Sequence, residues 1–259
     1  MLKGAVFLDL ENLTRNGGWG MRYPVIRSLV EAHNVTLLRA NAYLAVDRER
    51  ESADRDFRQR NEDFRRAIRR SGFHLVFKEV RRYRNEYGET VVKANADLDL
   101  AVDALLQAEN LDYVLLGSGD GDFLRLVRAL QNRGRRVDLL SFANTSSELQ
   151  QEVDVYFSGF LVPGLIPVKG AAENRCRGVM VSVYEEKGYG FLRVRTGLGA
   201  NDVIEDVFCH INDFSPEIDN AAFADLKPRQ TVVEMDLIRQ DDGRHRAEKV
   251  SIFDWETND

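Results

Sequence analysis

The chain is 259 residues long, which suits two domains or one large one. Its hydrophobic content of 44% is ample for a core, and a net charge of −6 argues against a uniformly basic nucleic-acid binder, though charge segregated into patches remains open. No apolar run is long enough to span a bilayer, and the two cysteines, Cys176 and Cys209, make neither a disulfide framework nor a zinc site by their spacing.

Met1-Leu2-Lys3-Gly4 runs directly into a strand rather than a signal peptide, so a cytoplasmic protein is expected. Ala5 to Leu8 is an apolar strand-like run ended by Asp9, with Glu11 and Asn12 behind it. Val25, Ile26, Leu29 and Val30 give Arg22 to Ala32 a helical period, and Val35 to Tyr43 returns to a strand. Arg48 to Arg70 reads as one long amphipathic helix, with Phe57, Phe64 and Ile68 as a thin apolar stripe and Gly72 as its stop. Its arginines could guide a phosphate backbone, or, with acids interleaved, form a salt-bridged surface. His74 to Val80 is the next strand. The basic stretch after it, Arg81-Arg82-Tyr83-Arg84, makes Arg81, Arg82 and Arg84 candidate nucleic-acid contacts.

In Lys93 to Glu109, Leu98, Val102 and Leu105 recur at four and three, predicting a helix that begins near Asn95 or Ala96. Asp97 falls in its first turn, where the helix dipole favours a carboxylate. At about 100° per residue, Asp97 and Asp99 point to nearly opposite faces while Asp99 and Asp103 share one, so spacing alone does not select the acid that faces a site. Tyr113 to Leu116 reads as a strand buried on both faces, and Phe123, Val127 and Leu130 as a helical stripe. Between them, Gly117-Ser118-Gly119-Asp120-Gly121-Asp122 places two acids at a strand-to-helix turn, where open α/β sheets bind ligands. Carboxylates held so close repel unless protonated or neutralised, and a hard cation such as Mg²⁺ takes such oxygen ligands. Equally, Asp122 could be a helix N-cap and Asp120 a turn residue. Gly134 is a C-cap, Arg136 to Phe142 a strand and Ser146 to Gln151 a short helix. The alternation argues for an α/β fold, a mostly parallel sheet with helices on both faces.

Phe7-Leu8-Asp9-Leu10-Glu11-Asn12-Leu13, Lys93 with Asp97 to Asp103, and Gly117 to Phe123 together resemble the NYN-domain family, a branch of the PIN-like nuclease superfamily. The resemblance implies a metal-dependent RNA nuclease with Asp9, Asp97, Asp120 and Asp122 around Mg²⁺ or Mn²⁺, and Asn12 beside the first acid. It selects Asp97 over Asp99 as the inward helix acid; Asp103 matches the family helix as well. Such an ion would generate hydroxide and stabilise charge on a phosphodiester. No histidine, serine or cysteine constellation competes, since His33, His74, His210 and His245 show neither triad nor paired-ligand spacing.

Pro163 to Gly170, with two prolines and two glycines, predicts an interdomain linker running to Asn174. Five short β-type runs follow: Gly178 to Tyr184, Gly190 to Val194, Val207 to Ile211, Thr231 to Ile238 and Ala247 to Phe253, a pattern that suits a small OB-type barrel. Tyr189 and Phe191 share a strand face, as do Phe208 and His210; the rings either fill the barrel or form a platform for single-stranded bases. Lys187-Gly188-Tyr189-Gly190-Phe191 and Val207-Phe208-Cys209-His210-Ile211 resemble the two ribonucleoprotein motifs of a cold-shock domain, with Tyr184 where that family often has tryptophan. The chain departs from that pattern in the long loop Arg195 to Asp206. The resemblance implies that Tyr184, Tyr189, Phe191, Phe208 and His210 stack bases and that Lys187 touches the backbone.

The expected organisation is a nuclease domain over 1–162, a linker over 163–174 and a cold-shock-like domain over 175–255. The expected function is metal-dependent endonucleolytic cleavage of single-stranded RNA. The alternatives are a non-catalytic RNA-binding regulator, whose acids hold a structural ion or a partner, and a nuclease directed at DNA. The sequence leaves a homodimer open.

Overall fold

The computed structural model describes residues 1–84, 90–93, 96–168 and 174–256, the strands at 81–84 and 90–93 by their backbone alone. In chain order the elements are β1 (Leu2–Asp9), α1 (Leu10–Leu13), α2 (Tyr23–Ala32), β2 (Val35–Val46), α3 (Arg48–Ala53), α4 (Arg55–Arg70), β3 (His74–Glu79), β4 (Arg81–Arg84), β5 (Thr90–Lys93), α5 (Asp97–Gln107), β6 (Tyr113–Gly117), α6 (Leu124–Gln131), β7 (Arg136–Ser141), α7 (Ser147–Glu152) and β8 (Val155–Ser158). They continue with β9 (Arg175–Tyr184), β10 (Tyr189–Arg195), β11 (Val203–His210), α8 (Asn220–Asp225), β12 (Val232–Arg239) and β13 (His245–Ile252). The chain divides into two units, one of Met1–Trp19 with Tyr23–Phe157 and one of Gly20–Arg22 with Ser158–Asp259.

The first unit is built on a six-stranded sheet in the order β3-β2-β1-β6-β7-β8, with parallel registers from β3 through β7. Phe7 and Ala5 of β1 pack with Leu100 and Ala104 of α5 and Val127 of α6, while the alternate residues Val6 and Leu8 are also fully buried. Both faces of β1 are therefore covered, as its uninterrupted apolar run requires. The order reverses between β1 and β6. The chain runs outward from this pair in both directions, so a crevice opens at the carboxyl ends of these two strands.

Two local expectations are corrected, and one element is new. The helix expected over Arg48 to Arg70 is two, because Asp54 takes an extended conformation and its side chain caps α4 by accepting from the Phe57 N–H. The apolar stripe expected on α5 faces the wrong way: Leu98 and Val102 are exposed, and Leu100, Ala104 and Ala108 enter the core with Leu105 packed beside them. The segment from Arg81 forms a hairpin, β4 pairing antiparallel with β5.

The second unit holds a closed barrel in the order β10-β11-β13-β12-β9, antiparallel at every pair except β11 with β13. That arrangement fits an OB-like fold. Leu192, Val194, Val207, Cys209, Met235 and Val250 point inward, and α8, absent from the sequence expectation, supplies Phe223 to the same core. The beginning of the expected linker lies within this unit. Arg177, almost wholly buried, donates to the Ile166 and Pro167 carbonyls at 3.4 and 3.1 Å, pairs with Glu234 at 2.8 Å and lies 4.0 Å from the Phe253 ring centroid.

Candidate functional site

Asp9 is the last residue of β1, opposite Tyr43 of β2, and only 7% exposed. One carboxylate oxygen accepts from the Asn12 N–H at 3.1 Å, capping α1, and the other accepts from the Ser118 hydroxyl at 3.1 Å. Burial raises its carboxyl most; the nearby Asp97 charge adds to this and the two hydrogen bonds oppose it, leaving it at about 6. A carboxylate held in that condition is one that a cation would discharge.

The turn after β6 is braced against the same residues. The Asn12 side-chain oxygen accepts from the Gly119 N–H at 2.7 Å, and the Ser118 hydroxyl accepts from the Asp120 N–H at 3.2 Å. Asp120 in turn caps the next helical turn, accepting from the Asp122 N–H at 2.9 Å. Asn12 and Ser118 thus fasten two separate stretches of sequence at the switch point of the sheet.

Asp9, Asn12, Asp97 and Asp120 line one open cleft of about 370 Å³, with Glu11, Arg15, Asn16 and Tyr43 among its other walls. Of the expected acids, Asp122 is exposed and outside this lining. The remaining acids of α5 are engaged elsewhere: Asp99 pairs with Lys78 at 2.8 Å, and Asp103 accepts from the Tyr43 hydroxyl at 2.8 Å. Sequence reasoning missed Ser118 and Tyr43 as partners of these acids, although Ser118 stands inside the glycine-rich stretch.

Among the described residues, no three histidine, cysteine or carboxylate side chains are gathered tightly enough to form a ready metal cage. The donor chemistry nevertheless suits a hard cation. The cleft offers carboxylate and amide oxygens with no imidazole or thiolate, and Mg²⁺ commonly takes one or two carboxylates while water and phosphate complete its shell.

In the barrel, Tyr189, Phe191 and Phe208 alternate with the buried Gly190, Leu192, Val207 and Cys209, so their rings lie on the outer face. Tyr184, 48% exposed, stacks on Tyr189 at 4.9 Å between centroids. Tyr189 lies 5.6 Å from Phe208, and Phe191 meets both edge-on at 6.0 and 6.1 Å. Lys187 is exposed at the adjoining turn. His210 uses its Nδ1 to accept from the Asn212 N–H at 3.1 Å, closing the turn after β11. The departing loop is tied down: the Arg195 guanidinium donates to the Gly199 carbonyl at 2.9 Å, and Asp202 accepts from the Gly199 N–H at 2.7 Å. The side chains of Arg81, Arg82 and Arg84 lie outside the described residues.

The sequence pattern of the NYN domain matches residues 3–161. The chain belongs to the NYN domain family. Its acid-lined cleft lies inside the NYN domain, and the barrel lies beyond the matched residues. NYN domains fall within the PIN-like nuclease superfamily, whose members are typically nucleases and generally use divalent metal ions. The chain is also similar to a crystal structure of a protein of unknown function from Vibrio parahaemolyticus, at 26% identity and a TM-score of 0.50, over 61% of this chain and 92% of that one. No curated protein matches it. Among the described residues no helix is long and apolar enough to cross a membrane.

Proposed function

We propose that this NYN protein is a metal-dependent ribonuclease acting on single-stranded RNA, with a cold-shock-like barrel that captures the substrate. The observation that carries the reading is the convergence of Asp9, Asp97 and Asp120 on one cleft at the switch point, with Asp9 held against its own charge. These three would hold Mg²⁺ or Mn²⁺, and Asp122 would join them only after a movement of its turn. When bound, the ion supplies a water acidic enough to attack near neutral pH and charge to stabilise the phosphoryl oxygens.

The chain's own residues set the geometry. Asn12 and Ser118 fix the two Asp9 oxygens, and Asn12 also fixes the turn that carries Asp120. On the barrel, the outward rings of Tyr184, Tyr189, Phe191 and Phe208 offer π-faces to successive bases, a sequence-tolerant mode of capture. Connecting that surface covalently to the cleft raises the local concentration of RNA at the acids. The proposed organisation keeps the catalytic part at 1–162 and the capturing part at 175–255.

The deciding experiment incubates labelled single-stranded RNA, and DNA of the same sequence, with Mn²⁺, Mg²⁺ or chelator. Native protein is compared with Asp120→Asn, which keeps the shape of the cap and removes its charge. Metal-dependent cutting of RNA that disappears in the variant supports the proposal. RNA bound but never cut favours the non-catalytic reading, and equal cutting of DNA overturns the RNA assignment, since the 2′-hydroxyl distinguishes the two.

A further inference from the structure

A second pocket of about 340 Å³ opens on the NYN domain, lined by Val46, Arg48, Glu51, Arg58, Arg65 and Phe77 among others. The end of β2 and the start of α3 join it to the acidic cleft: Tyr43, Leu44 and Ala45 line the cleft, and Val46 and Arg48 line this pocket. Val46 and Glu79 end β2 and β3 in register, on the same carboxyl edge as Asp9. With strands about 4.8 Å apart and about 3.3 Å per residue along them, the backbone at Val46 and Phe77 lies on the order of 10 Å from that at Asp9. Phe77 occupies the sheet face opposite Asp9.

Its chemistry differs from that of the cleft. An exposed ring alone needs no explanation. Phe77, however, is 41% exposed in a pocket whose walls include the guanidinium groups of Arg48, Arg58 and Arg65, with Arg65 and Arg69 at 5.4 and 5.5 Å from its centroid. The two lining acids are already matched, Glu51 to Arg65 and Glu79 to Arg48 at 2.7 Å. Burial opposes the Glu51 charge, but hydrogen bonds from Arg65 and Asn61 outweigh it and hold the carboxyl below its usual range. Among the described residues, Arg58, half exposed, has only a 3.8 Å contact with Glu62, and Arg65 Nε is buried with no acceptor. A ring beside guanidinium planes is a surface on which a base can stack, and the loosely held arginine can meet a phosphate.

We propose that this pocket is a nucleotide subsite: it stacks one base of a single-stranded nucleic acid on Phe77 and its arginines and takes the adjoining phosphate on Arg58. The cleft then receives the phosphodiester a short run of nucleotides away. The proposal rests on the nuclease reading for the direction of the strand, but the pocket's affinity for a nucleotide stands apart from cleavage.

The test uses the full chain and has two readouts. RNA bearing 5-bromouracil is cross-linked by light to native protein in chelator, and the labelled peptides are mapped by mass spectrometry. In parallel, cleavage is measured for native protein, Phe77→Leu, which keeps apolar volume without a ring, and Arg58→Ala. The expected results are label on Phe77 and a rise in KM with kcat little changed. The rise in Phe77→Leu should be roughly 5- to 160-fold, the range for one lost base stack. Label at Phe77 from a native protein that never cuts would remove the nuclease reading and keep the subsite. Cutting with unchanged KM in both variants and no label between residues 46 and 79 would remove the subsite and keep the nuclease.

Discussion

Asp9→Asn should make the metal-free protein more stable at neutral pH. The native carboxyl is 7% exposed and displaced from 3.8 to about 6, first by burial and then by Asp97. Below pH 4 it is protonated in folded and unfolded chains alike and contributes nothing. Between about 4 and 6 the folded state holds a proton that the unfolded state has lost, so stability falls as pH rises. Above 6 the full penalty is present, about 3 kcal/mol for a displacement of that size. Asparagine has no charge to desolvate, can still cap α1 through its oxygen, and faces a Ser118 hydroxyl that can turn to accept. For a unit of this size the gain should raise the NYN-domain melting temperature by roughly 6–12 °C at pH 7.5. Scanning calorimetry of the full chain in chelator measures it. The gap between native and variant should close as pH drops to 4, and added Mn²⁺ should raise the native transition while leaving the variant nearly unmoved. A variant that melts at or below the native protein in chelator at pH 7.5 would refute the reasoning, because Asp9 would then be ionised at no cost.

Two other predictions concern the barrel. Changing Tyr189 and Phe191 together to alanine should leave the barrel melting transition nearly unchanged, since both rings lie outside its core, and weaken RNA binding by about 1–3 kcal/mol for each lost stack; fluorescence anisotropy in chelator reads the affinity, and an unchanged value would exclude the rings from capture. Arg177→Ala leaves the buried Glu234 to the longer 4.0 Å contact with Arg175 and should destabilise the barrel by about 3 kcal/mol, measured by urea unfolding; a loss below about 1 kcal/mol would mean that Arg175 or water takes over the Glu234 charge.

Strands β1, β2, β3, β6 and β7 of the first unit and the five of the barrel were legible because burial on one or both faces writes itself as apolar runs or alternation, whereas β4, β5 and β8 were not read. Asp9 and Asp120 were equally legible, as acids placed where such runs end. What failed has physical causes. On α5 the buried face is largely alanine, Ala104 and Ala108 with Leu100, because the helix packs close; the larger Leu98 and Val102 remain outside and drew the stripe to the wrong side. The break at Asp54 was hidden in a run of charges where hydrophobic period carries no information, although an aspartate three residues before Phe57 is itself a capping signal. The choice of Asp97 came from resemblance, and the structure accounts for the other two acids by giving Asp99 to Lys78 and Asp103 to Tyr43. Those partners come from β2 and β3, distant in sequence, so no local pattern could announce them.

The end of β6 carries a different kind of consequence. Gly117 stands in register with Leu8, and a Cβ there would run into the Leu8 side chain and crowd Leu13 at 3.2 Å. The distance between Asp9 and the turn bearing Asp120 is thus held by an atom that is missing. On the nuclease reading proposed above, random mutagenesis scored for lost cleavage should therefore return Gly117 beside the carboxylates, with nothing in the phenotype to separate a residue that touches substrate from one that only lets two strands meet.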